Sequence, residues 1–122
     1  MIKVIQPGLF TTIQDAGRHG FRNIGIPTSG FMDQESAWAA NELVDNNKDE
    51  SLLEITLTGP TLIFNCNCVI SITGGDFNPL INNLPVKMYQ SINVRTGDIL
   101  KLNNTINGAR SYIAVSGGLN VK

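Results

Sequence analysis

Short extended segments, each closed off after a few residues by glycine, proline or asparagine, dominate this chain and leave few folds open to it. Apolar and β-branched residues gather near Ile2–Ile5, Phe10–Asp15, Leu52–Leu57, Thr61–Asn65, Val69–Thr73, Pro79–Ile81, Ser91–Val94, Ile99–Leu102 and Ser111–Val115. Runs of that length and type predict strands. Pro7-Gly8, Gly59-Pro60, Asn82-Asn83, Thr96-Gly97-Asp98 and Asn107-Gly108 fall between them as turn signals. So many short strands exclude a layered α/β arrangement and predict a mainly β domain.

One segment departs from this pattern. Asp33 precedes Gln34-Glu35, and Ala37, Ala40, Leu43 and Val44 then recur at helical spacing beside Trp38. Asp33 is placed to cap the first turn, Glu35 suits the helix dipole, and Asn46-Asn47 provides the end. One short amphipathic helix among many strands predicts a closed or nearly closed β-barrel, since closure removes exposed strand edges.

The 122 residues, 42% of them hydrophobic, are enough for a single domain with one core. Nine Lys and Arg against ten Asp and Glu give a net charge of -1, which argues against a nucleic-acid partner. No apolar run approaches the roughly 20 residues of a membrane span, and no signal peptide is evident, so a cytoplasmic protein with no membrane partner is expected. Cys66 and Cys68 form a C-x-C within a strand-like run, without the further ligands a metal site needs. They are expected to be plain buried thiols, and no metal is expected. The scattered aromatics, Tyr89 and Tyr112 among them, are read as filling the core or covering its rim.

Chemistry-bearing residues concentrate in Gln14–Phe21, which holds Asp15, Arg18, His19 and two glycines. These side chains either bind a polar ligand or tie two strands together.

Pro7-Gly8-Leu9, the Gln14–Gly20 segment, Gly25-Ile26-Pro27, Ser29-Gly30, Met32-Asp33, Ala40-Asn41, Leu43-Val44 and Leu53-Glu54 stand in an order and spacing that resemble a known family. The likeness continues through Gly59-Pro60-Thr61, Thr73-Gly74-Gly75-Asp76-Phe77, Gly97-Asp98, Gly108-Ala109-Arg110-Ser111-Tyr112 and Gly117-Gly118, and so covers nearly the whole chain. It is similar to the KipA or allophanate-hydrolase-subunit-2 family, which includes the C component of bacterial 5-oxoprolinase and part of the carboxyltransferase region of urea amidolyase. The resemblance implies a cyclophilin-like β-barrel. It also implies that residues 1–122 are one domain and the N-terminal part of a longer family protein.

The activity so implied is ATP-dependent opening of 5-oxoproline to glutamate, shared with a KipI-like B component and completed by an A component. The chain would then be a non-autonomous member of a hetero-oligomer. No Walker sequence or dinucleotide fingerprint is present, so ATP is expected to be shared with the KipI-like partner. Two other activities follow from the same resemblance. One is a carboxyltransferase module, which would use biotin and pass a carboxyl group to an acceptor such as urea. The other is a non-enzymatic protein that binds KipI.

Opening a lactam needs donors that converge on the negative charge developing at the carbonyl oxygen. Arg18 and Arg110 suit that task through the planar guanidinium fork, or else they fix loops. Asp76 either binds a small-molecule substrate or makes ordinary turn hydrogen bonds. Arg18, Asp76 and Arg110 are therefore the catalytic candidates. Asp15 and His19 are substrate-binding candidates, and His19 is the less suited to catalysis because the family often has proline there. The amides of Gly74, Gly75, Gly117 and Gly118 are candidates for an anion-binding concavity.

Overall fold

A computed structural model of the chain describes residues 2–6, 10–14, 33–104 and 107–117. Ten strands and one helix are found there: β1 (Ile2–Gln6), β2 (Phe10–Gln14), α1 (Gln34–Leu43), β3 (Leu52–Thr56), β4 (Thr61–Phe64), β5 (Cys68–Asp76), β6 (Leu80–Ile81), β7 (Leu84–Pro85), β8 (Ile92–Val94), β9 (Ile99–Lys101) and β10 (Asn107–Val115). They form two antiparallel five-stranded sheets, β1-β4-β9-β6-β7 and β2-β3-β10-β5-β8.

The mainly β reading with one helix holds, but the closed barrel does not. Among the described residues no ladder joins the two sheets; β1 and β7 are the edges of one, β2 and β8 of the other. The chain instead crosses repeatedly between sheets, from β3 to β4, β4 to β5 and β8 to β9, and packs their inner faces together. Leu62, Phe64 and Leu100 from one sheet meet Ile55, Ile72 and Ile113 from the other, all fully buried. Each such side chain contributes about 1.5–3 kcal/mol, so apposed faces stabilise the fold without closure. Edge pairing is limited by shortness, as in the two exposed residues of β7.

The second sheet is covered on both faces. Along β10, Ile113 and Val115 point into the core between the sheets, while Tyr112 and Ala114 point to α1 with Leu52 of β3. This alternation follows from the two-residue period of a strand. Helix α1 has ten residues, fewer than the roughly 12–15 an isolated helix needs in water, so the contacts of Ala37, Ala40 and Val44 with the sheet sustain it. Its start is as expected: Asp33 Oδ1 accepts the Ser36 N–H at 3.1 Å. At its end Asn46 Nδ2 donates to Val115 O at 2.8 Å, which ties the helix exit to the end of β10.

Three boundaries differ from expectation. Asn82 and Asn83 join β6 to β7 with φ of 51° and 68°, the pattern of a two-residue hairpin turn, and so add a strand too short to show in the sequence. Asn107-Gly108 lies within β10 rather than in a turn, because Asn107 pairs with Asp76. Strand β5 correspondingly runs on through Gly74 and Gly75. The expected strand residue Asp15 and the turn Pro7-Gly8 lie outside the described residues.

Candidate functional site

The β5–β10 ladder is regular from Val115↔Ile70 to Ser111↔Gly74, and then it shifts. Asn107 pairs with Asp76, so Gly108, Ala109 and Arg110 stand opposite Gly75 alone. Such a bulge bends the strand and redirects side chains. Gly74 makes it feasible: its φ is +90°, and a Cβ there would lie 2.7 Å from Arg110 O. Only glycine takes that conformation while letting the facing backbone come so near.

Four of the candidates named from sequence, Gly74, Gly75, Asp76 and Arg110, therefore meet at one end of the second sheet. Arg110 is half-buried, and among the described residues its Nε has no hydrogen-bond partner although the atom is buried. Asp76 is exposed, and its Oδ1 accepts the Asn78 N–H at 2.8 Å, the ordinary turn bond. The Gly74 N–H is not open: it donates to the Tyr89 hydroxyl at 2.9 Å. Tyr89 is exposed, has a φ of 59°, and donates its own N–H to Ile72 O at 2.8 Å. An open groove of about 440 Å³ is lined by Pro85, Val86, Lys87, Gln90, Ser91 and Ile92, on either side of Tyr89 in the chain.

Gly117 is not part of this group. It lies six residues beyond Ser111, roughly 20 Å away in extended chain, and its N–H donates to Asn46 Oδ1 at 2.8 Å. Asp15, Arg18, His19 and Gly118 lie outside the described residues.

Beneath the N-terminal turn of α1 lies a second polar cluster. Glu54 on β3 faces Tyr112 on β10 across the ladder. The Tyr112 hydroxyl donates to Glu54 Oε2 at 2.7 Å and accepts the Asp33 N–H at 2.9 Å. Beside them Thr73 Oγ1 donates to Ser36 O at 2.6 Å. Burial, and then the bond to Glu54, pushes the Tyr112 phenol well above its ordinary value. Tyr112 thus stays protonated and acts as a donor rather than as a base.

Tyr89, Glu54 and Tyr112 were not singled out from sequence as site residues. For Glu54 a signal existed: an acid between Leu53 and Ile55 shares a strand face with Leu52 and needs a partner once that face is covered. Chemically, this end of the sheet carries a guanidinium, a carboxyl group and a phenol hydroxyl, the types of donor and acceptor by which an amide is recognised. Among the described residues no group of three or more His, Cys, Asp or Glu is placed to hold a metal ion. No helix among them is long and apolar enough to cross a membrane.

Residues 24–122 match the model of the carboxyltransferase domain, subdomain A and B. The chain is 37% identical over 121 residues to the C component of 5-oxoprolinase from Escherichia coli, covering 99% of this chain and 39% of that protein. It is 37% identical over 121 residues to the urea amidolyase of Saccharomyces cerevisiae, covering 98% of this chain and 7% of that one. The crystal structure of the K. lactis urea amidolyase superposes with a TM-score of 0.90 at 39% identity, over 99% of this chain and 7% of the other. The chain thus spans less than half the length of these relatives. With its family model, its relatives and its fold in agreement, the chain belongs to the carboxyltransferase domain, subdomain A and B, family.

Proposed function

We propose that this chain is the N-terminal part of the C-type component of an ATP-dependent 5-oxoprolinase, which opens 5-oxoproline to glutamate together with a KipI-like B component and an A component. The observation that carries this reading is the likeness to the 5-oxoprolinase C component over 99% of this chain and 39% of that protein. The bulge supports it chemically. Arg110 offers a planar donor for a lactam carbonyl or a carboxylate, and Asp76 an acceptor for the ring N–H. The sequence holds no Walker motif, which fits ATP bound with the KipI-like partner. Arg18, Asp15 and His19 remain candidates from the sequence.

The carboxyltransferase family model and the urea amidolyases support a second reading, transfer of a carboxyl group from carboxybiotin to urea or a similar acceptor. Both readings place a small planar amide at the site, and they differ in what activates it.

The test is ATP-dependent glutamate formation from 5-oxoproline by the chain combined with its candidate B and A components, omitting each in turn. A rate that depends on this chain supports the first reading, and an unchanged rate on its omission overturns it. Carboxylation of urea that requires a biotin carrier and this chain would establish the second.

A further inference from the structure

Cys66 and Cys68 are not the buried thiols expected from sequence. They lie in the connection from β4 and at the start of β5, the opposite end of β5 from Gly74. Cys66 is exposed because it sits in the bend between strands, while Cys68 is half-buried against the core between the sheets. The turn carrying them is firmly held. Asn67 Oδ1 accepts the Thr96 N–H at 2.9 Å and the Thr96 hydroxyl at 3.3 Å. Cys68 pairs with Val94 in the β5–β8 ladder, and Gly97 N–H donates to Phe64 O at 2.7 Å. One residue separates the two thiols, Cys66 in the bend and Cys68 at the first position of β5. A fixed turn therefore presents one accessible sulfur beside one recessed sulfur.

We propose that Cys66 and Cys68 form a thiol–disulfide exchange site for small disulfides such as glutathione disulfide, in which Cys66 forms the mixed disulfide and Cys68 resolves it. In the first step the Cys66 thiolate attacks one sulfur of the small disulfide. The S–S bond breaks, one small thiolate leaves, and a mixed disulfide forms on Cys66. In the second step the Cys68 thiolate attacks the Cys66 sulfur, the second small thiolate leaves, and the Cys66–Cys68 bond closes. The two cysteine protons end on the two small thiols, so a dithiol and a disulfide become a disulfide and two thiols.

Accessibility assigns the order, since Cys66 is exposed to a solvent-borne disulfide and Cys68 is half-buried. Burial, and then the neighbouring Cys66, pushes the Cys68 thiol up; the burial remains once Cys66 carries the small thiol, so the closing step is the slow one at neutral pH. A bridge across one intervening residue closes almost no loop and gains little from chain entropy. Closure therefore changes the covalent state of the turn with little change in stability, which keeps it reversible.

The test is intact-mass and peptide-mapping mass spectrometry of the chain incubated with glutathione disulfide, beside Cys66→Ser and Cys68→Ser. The wild-type chain should first carry one glutathione on Cys66 and then release it as the thiol, ending two hydrogens lighter than the starting chain. Cys68→Ser should keep the adduct, and Cys66→Ser should form one at least about tenfold more slowly. Between about pH 7 and pH 9 closure should accelerate, by at most about a hundredfold, following the Cys68 thiolate fraction. Two glutathiones on one wild-type chain, equal adduct rates in Cys66→Ser and wild type, or no bridge at pH 9 would each overturn the proposal. The wild-type time course alone decides the first and last of these, so a variant that fails to fold leaves the test standing.

Discussion

The Tyr112 hydroxyl donates to Glu54 Oε2 at 2.7 Å while accepting the Asp33 N–H at 2.9 Å, so one fully buried phenol joins β10, β3 and the cap of α1. Tyr112→Phe removes this group and leaves the Asp33 N–H without that acceptor and Glu54 without that donor. Losing a bond between buried polar groups costs about 1–3 kcal/mol. Urea unfolding at neutral pH should show a midpoint lowered accordingly, and an unshifted midpoint would mean that the bond contributes nothing net.

The same phenol sets an alkaline limit. Its folded-state value is raised, chiefly by burial, so above about pH 10 the unfolded chain loses this proton while the folded chain keeps it. The unfolded state then binds fewer protons and stability falls as pH rises. The contribution is fully present below about pH 10 and is lost as pH climbs from there toward the raised value. Unfolding midpoints measured from pH 8 upward should decline above about pH 10 in the parent, and decline less in Tyr112→Phe.

How much of this was legible varies by element. The cap Asp33, the apolar face of α1 and the strands from Leu52 to Phe64 follow from periodicity and cap chemistry. The Gly74–Asp76 end of β5 was hidden because Gly-Gly-Asp reads as a loop, and only the shift against β10 makes it strand. Tyr112 read as core filling because strand alternation reports burial and not the hydrogen bond at the ring's far end. The exposure of Cys66 was missed because the bend that turns it outward depends on Asn67 binding Thr96, a contact between residues 29 apart.

Two glycines separate crowding from backbone strain. A Cβ on Gly59 would lie 2.2 Å from Leu102 Cβ, an atom that cannot swing aside, so Gly59→Ala must displace the chain. Gly97 has nothing within 4 Å but a φ of +93°. Gly97→Ala should cost about 1 kcal/mol from backbone strain, while Gly59→Ala should cost about 1–3 kcal/mol or more through overpacking. Thermal unfolding of the two variants checks the order, and a larger loss at Gly97 would refute it.

The β6–β7 turn offers a stabilising change beside a destabilising one. Asn82 and Asn83 both have positive φ, but only Asn82 is tied down: its Oδ1 accepts the Ile99 N–H at 3.0 Å and its Nδ2 donates to Asp98 Oδ1 at 2.9 Å. Asn83→Gly relieves the conformation without breaking those bonds and should stabilise by a few tenths of a kcal/mol to about 1 kcal/mol. Asn82→Gly relieves it equally but removes both bonds, and should be destabilising by about 1 kcal/mol net. Chemical denaturation of the pair tests this, since equal effects would mean that the side-chain bonds carry no weight.

Arg110 offers the sharpest functional test, because the bulge fixes its backbone while its buried Nε has no hydrogen-bond partner among the described residues. If its fork binds the carbonyl or carboxylate of the substrate, Arg110→Lys retains the charge but loses the paired planar donors. In the reconstituted complex, kcat/KM for 5-oxoproline should fall about 10²- to 10³-fold, the range for removing one transition-state donor. Asp76→Asn should preserve the turn, because an asparagine Oδ1 can still accept the Asn78 N–H. A larger loss in Asp76→Asn than in Arg110→Lys, with both variants folded and still bound to the proposed B component, would move the reacting centre from the guanidinium to the carboxyl group. Parent-like kinetics in Arg110→Lys would leave Arg110 as a brace for the bulge and remove it from the reaction.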